Sequence, residues 1–133
     1  MTDRPVLLNT SVLIARETAR PLRLGALPDE VAVSVITIAE LRAGVLAAAE
    51  TAVRARRLAT LESVSGLDAL HVDSSAARHW AAMRVRLAEQ GRRAKVNDLW
   101  IAAVALANDM DVVTQDDDFD VIRSAGGPGV IRV

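Results

Sequence analysis

The chain has 133 residues, 51% hydrophobic and 25% charged, with a net charge of −1. That length suits one domain spanning 1–133 with a single core, and the near-zero charge argues against a strongly basic nucleic-acid binder. With no cysteine there is no disulfide framework or thiolate metal site, and with no signal-peptide pattern and no long uninterrupted apolar run a cytoplasmic protein without a membrane span is expected.

Pro5 to Leu8 reads as a short buried strand that ends in Asn9, Thr10 and Ser11. One of those three caps a helix over Val12 to Arg16. Pro21 and the Gly25 to Pro28 region break it. Val31 to Val35 is a second, β-branched strand. Ile36 to Ala49 carries Ile38, Leu41, Val45 and Leu46 at helical spacing. Thr37 and Glu40, three apart, form a capping-box pattern. The alternative for Glu40 is a carboxylate in the first turn after a strand, aimed at the same sheet edge as Asn9.

Glu50 to Ser65 predicts an Arg-rich helix with Val53, Leu58 and Leu61 inward, ended by Gly66. Leu70 to Val72 is a candidate third strand. Ser74 or Ser75 caps a long helix through about Gln90, with Gly91 as its stop. Trp80, Met83 and Leu87 give that helix an apolar stripe, read as core. His71 and His79 are read as structural.

Asn97 is a good N-cap, and Asp98 falls in the first turn, where the helix dipole favours an anion. The apolar helix that follows leads to a strand at Val112 and Val113. Thr114 to Asp118 then gathers oxygen ligands beyond the strand's carboxyl end. A turn helix over Asp117 to Arg123 and a last strand at Gly129 to Val133 complete the chain. Alternating strands and helices predict a three-layer α/β/α fold around a mainly parallel sheet of four or five strands.

That arrangement puts Asn9, Glu40, Asp98, Thr114 and Asp116 at a common edge. Two readings stand: capping residues with a solvated acidic loop, or a hard-cation site for Mg²⁺ or Mn²⁺. Such a metal activates water and stabilises the oxygens of an in-line phosphoryl displacement. Of the 16 basic residues only Lys95 is lysine. Arg84, Arg86, Arg92, Arg93 and Lys95 crowd the approach to Asp98, as a phosphodiester substrate requires, although a solvated helix end explains any one of them equally well. A Walker loop and a Ser-His-Asp triad are unsupported. A receiver domain requires an acid pair after the first strand and a lysine near the last. A dehalogenase-like phosphatase requires two acids after the first strand. Asn9 to Ser11 supplies no acid.

Four stretches in order, Val6 to Ile14, Thr37 to Gly44, Asn97 to Ala103 and Val113 to Phe119, resemble the motifs of a PIN domain, and more narrowly those of VapC toxins of bacterial VapBC toxin–antitoxin pairs. The resemblance implies a Mg²⁺- or Mn²⁺-dependent endoribonuclease cleaving tRNA or rRNA. It also implies a homodimer, neutralised by a VapB antitoxin whose C-terminal tail occupies the active site. By motif, Glu40, Asp98 and Asp116 are three of the four family acids and Asp118 is an accessory carboxylate. Ser11 and Thr114 are supports, Asn97 caps the helix bearing Asp98, and Arg92, Arg93 and Lys95 are RNA contacts. The family pattern Asp-Thr-Ser is here Asn9-Thr10-Ser11. Asn keeps the shape but not the charge. It reads as a natural variant of reduced activity or as an isosteric substitution that silences the enzyme; the otherwise intact motifs favour the second. The alternative function is a catalytically inactive PIN domain that binds RNA or antitoxin.

Overall fold

A computed structural model describes residues 4–133. Four strands, β1 (Val6–Leu8), β2 (Val31–Ala32), β3 (Asp111–Thr114) and β4 (Val130–Arg132), form one sheet in the order β2-β1-β3-β4. Every pairing is parallel, with Val6 opposite both Val31 and Asp111, Leu8 opposite Val113, and Thr114 opposite Arg132. Six helices cover it: α1 (Thr10–Glu17), α2 (Val35–Ala47), α3 (Thr51–Val64), α4 (Ser74–Glu89), α5 (Val96–Ala107) and α6 (Asp118–Ser124). This is the expected three-layer α/β fold.

The strands are nearly all apolar because both faces are buried. Successive side chains point to opposite faces, and two cores result. Leu7 and Val112 face α4, α5 and α6, where Met83, Leu87, Ile101, Val104, Phe119 and Ile122 are buried. Val6, Leu8 and Val113 face α1, α2 and α3, packing on Val12, Leu13, Leu41, Leu61 and Val64. Small residues on α5 (Ala102, Ala103 and Ala105, all fully buried) bring that helix close to its neighbours. The Trp80–Met83–Leu87 stripe is core, with Trp80 stacked on Trp100 at 4.8 Å between ring centroids and 14° between planes. Such a pair adds about 0.5–1.5 kcal/mol beyond its burial.

Several expected boundaries shift. Leu70 to Val72 is not a strand; only Leu70 bridges Ser34. The cause is that the chain turns from β2 into α2 at Ser34, which leaves nothing further to pair with. Val35 is therefore helical rather than the end of a strand. Ser34 caps α2 by accepting from the Thr37 amide at 3.3 Å, so Thr37 is not a cap and the capping box with Glu40 does not form. Asp73, not Ser74 or Ser75, caps α4 by accepting from the Ala76 amide. Gly91 does end that helix region with φ +66°. Leu58, expected inward, is 41% exposed, and Leu46, placed at helical spacing, is 76% exposed. α2 is apolar on most faces, so its spacing did not single out the buried one.

Candidate functional site

At the sheet's centre β1 has β2 on one side and β3 on the other, and the chain leaves them in opposite directions. Open parallel sheets form their ligand cleft at such a point, outside the carboxyl ends of the strands. Asn9 follows β1 directly, and its amide extends the ladder by donating to Val113 O at 2.8 Å. Thr114 is the last residue of β3. Both are buried.

Asn9 Nδ2 donates to Ser11 Oγ at 2.9 Å and to Thr114 Oγ1 at 3.1 Å. An amide nitrogen reverses the polarity a carboxylate would impose there, because it consumes hydroxyl lone pairs, not hydroxyl protons. The Thr114 hydroxyl is thereby left to donate to Asp116 Oδ1 at 3.3 Å. The backbone folds around the same carboxylate. Asp118 N donates to Asp116 Oδ1 at 3.1 Å, and Gln115 N donates to Ser11 Oγ at 3.1 Å. Asp118 opens α6, and its Oδ2 accepts from Lys95 Nζ at 2.8 Å.

Asp98 lies in the first turn of α5. Its carboxyl is pushed up to about 6, first by burial, then by the negative charges of Asp116 and Asp118, with Glu40 adding a smaller push and Lys95 opposing. Lys95 is raised in turn by its hydrogen bond to Asp118 and by the charges of Asp118 and Asp98. Asp116, Asp118 and Glu40, from the end of β3, α6 and α2, therefore all lie near enough to Asp98 on α5 to act on its carboxyl. Glu40 sits in the second turn of α2, not the first, and joins the cluster through Thr10, whose Oγ1 donates to Glu40 Oε1 at 2.8 Å.

Asn97 is not the cap of α5. The helix starts at Val96, and Lys95 occupies the cap position with extended backbone (φ −62°, ψ 138°) and no side-chain cap bond. Asn97 is exposed one residue inside. Arg92 and Arg93, with Arg84, line a groove of about 670 Å³ that runs to Val96 and Leu99 at the start of α5. Arg92 also reaches Ser124 Oγ at 3.3 Å. Neither His71 nor His79 takes part in the hydrogen bonds of the cluster among the described residues. Thr10 and Thr37 were not anticipated as site residues. The only signal was their place one residue after Asn9 and three before Glu40, and the second had an adequate explanation as a cap.

The donor set is all oxygen, which suits a hard divalent cation. Among the described residues no three acids are drawn tightly enough together to enclose a metal ion. Mg²⁺ tolerates that, since it uses one or two carboxylates and keeps several waters. Asp98 is raised first by burial and then by the charges of Asp116 and Asp118, and a cation bound among these carboxylates would offset that repulsion. On these grounds the residues fit the ion.

Comparison with known proteins gives a consistent result. The PIN domain profile matches residues 6–124. Ribonuclease VapC5 of Mycobacterium tuberculosis is 56% identical over 126 residues, covering 95% of this chain and 93% of that protein. Ribonuclease VapC4 of the same organism is 38% identical over 121 residues, covering 90% and 92%. The crystal structure of VapBC-5, a toxin–antitoxin system member from M. tuberculosis, superposes with a TM-score of 0.89 at 53% identity, over 97% of this chain and 98% of that one.

Proposed function

The chain belongs to the PIN-domain family, and from that premise we propose that it cuts tRNA or rRNA at a divalent-metal site on the carboxyl edge of its sheet. It is a VapC ribonuclease, the toxin half of a VapBC toxin–antitoxin system, and its partner is a VapB antitoxin. No helix among the described residues is long and apolar enough to cross a membrane. A homodimer is the working assembly.

The observation that carries the reading is the placement of Asp98 at the start of α5, Asp116 and Asp118 just beyond β3, and Glu40 tied to the residue after Asn9, beside the point where the strand order reverses. Asp98, Asp116 and Glu40 would hold Mg²⁺ or Mn²⁺, with Asn9 offering its amide oxygen and Asp118 as an accessory carboxylate. Bound there, the ion would supply an activated water and stabilise charge on the phosphoryl oxygens.

The protein's own groups do the rest. Thr114 and the Asp118 amide fix Asp116 through Oδ1. Ser11 ties the loop after β3 to the start of α1. Lys95 pairs with Asp118 at the start of α6, and Arg92 and Arg93, which line the neighbouring groove, would meet RNA phosphates. Asn9 removes one negative charge from the set, so ion binding and cleavage are weaker than a carboxylate there would give.

The test is cleavage of total tRNA and rRNA in Mg²⁺ by the chain as it stands, by Asn9→Asp and by Glu40→Ala, with mapping of the new 5′ ends. Cleavage that rises in Asn9→Asp and vanishes in Glu40→Ala is expected. If Asn9→Asp binds metal but cuts nothing, as Glu40→Ala does, the nuclease reading fails. The second reading, a PIN domain that binds RNA or antitoxin without cutting, is favoured by Asn9 alone.

A further inference from the structure

Asn9 and Thr10 are consecutive, yet they serve opposite halves of the cleft. Asn9 turns to Thr114 on β3, whereas Thr10 turns to α2. Thr10 Oγ1 lies 2.8 Å from Glu40 Oε1 and 3.0 Å from Thr37 Oγ1, and donates toward both. Thr10 is 6% exposed and Thr37 fully buried, so water does not replace either hydroxyl cheaply.

A threonine hydroxyl has one proton. Shared between a carboxylate and a hydroxyl oxygen, it goes chiefly to the carboxylate, because the charge-assisted bond is the stronger. Thr37 then serves to hold the Thr10 oxygen in place from behind. Thr37 has no capping duty that would account for its hydroxyl, because Ser34 performs that one. Glu40 is in the second turn of a helix, on a long side chain, and would otherwise sample several rotamers. Oε1 accepts that bond, and among the described residues Oε2 takes part in no hydrogen bond.

We propose that Thr10, backed by Thr37, is a positioning residue that fixes Glu40 for metal binding and RNA cleavage; this rests on reading Glu40 as a site carboxylate. The device resembles the outer hydrogen bonds that orient metal-binding side chains generally, whose loss costs about 10–100-fold in affinity or activity.

The experiment compares Thr10→Val, Thr10→Ser, Thr37→Val and Glu40→Gln, each in the chain as it stands and with Asn9→Asp. Two quantities are read: Mn²⁺ affinity by electron paramagnetic resonance titration, and kcat and KM on RNA. Thr10→Val is expected to lower kcat about tenfold, to weaken Mn²⁺ binding, and to leave KM within about twofold. Thr10→Ser, which keeps the hydroxyl, is expected to restore both. If Thr10→Val keeps kcat and Mn²⁺ affinity within about twofold while Glu40→Gln loses them, the positioning role is wrong. If Thr10→Ser is as impaired as Thr10→Val, the defect is one of packing and the role is again wrong. If Glu40→Gln changes neither quantity, the assignment of Glu40 itself is overturned. Should Thr10→Val not fold, Thr37→Val takes its place, with a fall in kcat of about threefold or more expected; an unchanged kcat overturns the proposal.

Discussion

Asp98→Asn isolates the electrostatic strain in the cleft. The Asp98 carboxyl holds its proton to about pH 6, whereas its ordinary value is 3.8. Below about pH 4 folded and unfolded chains are both protonated there, and the residue costs nothing. Between 3.8 and 6 the unfolded chain releases the proton and the folded chain keeps it, so stability falls as pH rises. Above 6 the full penalty applies. A shift of that size corresponds to about 3 kcal/mol if taken at face value, and about 1–2 kcal/mol once the partial exposure of the group is allowed for. Asparagine removes the penalty but also gives up the favourable interaction of an anion with the start of α5, about 0.3–1 kcal/mol.

The net expectation in chelator is a gain of about 1 kcal/mol at pH 7.5, which for a chain of this size raises Tm by about 3–4 °C. At pH 4 the gain should vanish. Urea denaturation and thermal melts at pH 4, 5, 6 and 7.5 measure it. Added Mg²⁺ should stabilise the parent more than the variant. A variant equally stable relative to the parent at every pH, or destabilised at pH 7.5, would refute the reasoning.

Asn9→Asp restores a charge beside Asp116 and sets two carboxylates competing for the Thr114 hydroxyl; it should lower Tm in chelator, recover it in Mg²⁺, and raise RNA cleavage about tenfold or more. An equal Tm in both buffers would contradict this. Neutralising Arg92, Arg93 and Lys95 together should weaken RNA binding and reduce the slope of log affinity against log salt by about 1 for each phosphate left without its cation; an unchanged slope makes them a solvated face. Gly127→Ala would put a Cβ 2.6 Å from the Ile122 carbonyl oxygen, which is backbone and yields little. A loss of about 1–3 kcal/mol is expected by chemical denaturation, without a change in metal affinity.

Much of the architecture was readable because parallel strands covered on both faces leave unambiguous apolar runs, as at Val6 to Leu8 and at Val112 and Val113. The candidate acids Asp98 and Asp116 were readable as a pair, since topology puts the start of α5 and the end of β3 on one edge; Glu40, a turn further into α2, was not placed by that rule. Caps were harder. Asn97 has the better side chain for capping, but the backbone makes its turn at Lys95 and the helix simply starts earlier. Ser34 preempted Thr37 in the same way. Leu58 on α3 and Leu46 on α2 satisfy helical spacing without facing either core, so spacing alone does not give their exposure. The tie between Thr10 and Glu40 spans 30 residues, and no local pattern encodes it.

The Asn9–Thr114 bond joins positions 105 residues apart, and β1 has β3 as a central neighbour. Half of the cleft is thus translated first and the other half almost last. A chain interrupted at any point before β3 has no Thr114 for Asn9 to bond and lacks Asp116. Pairings of such sequence separation also form slowly. The acid cluster is therefore incomplete until nearly the whole chain has been synthesised.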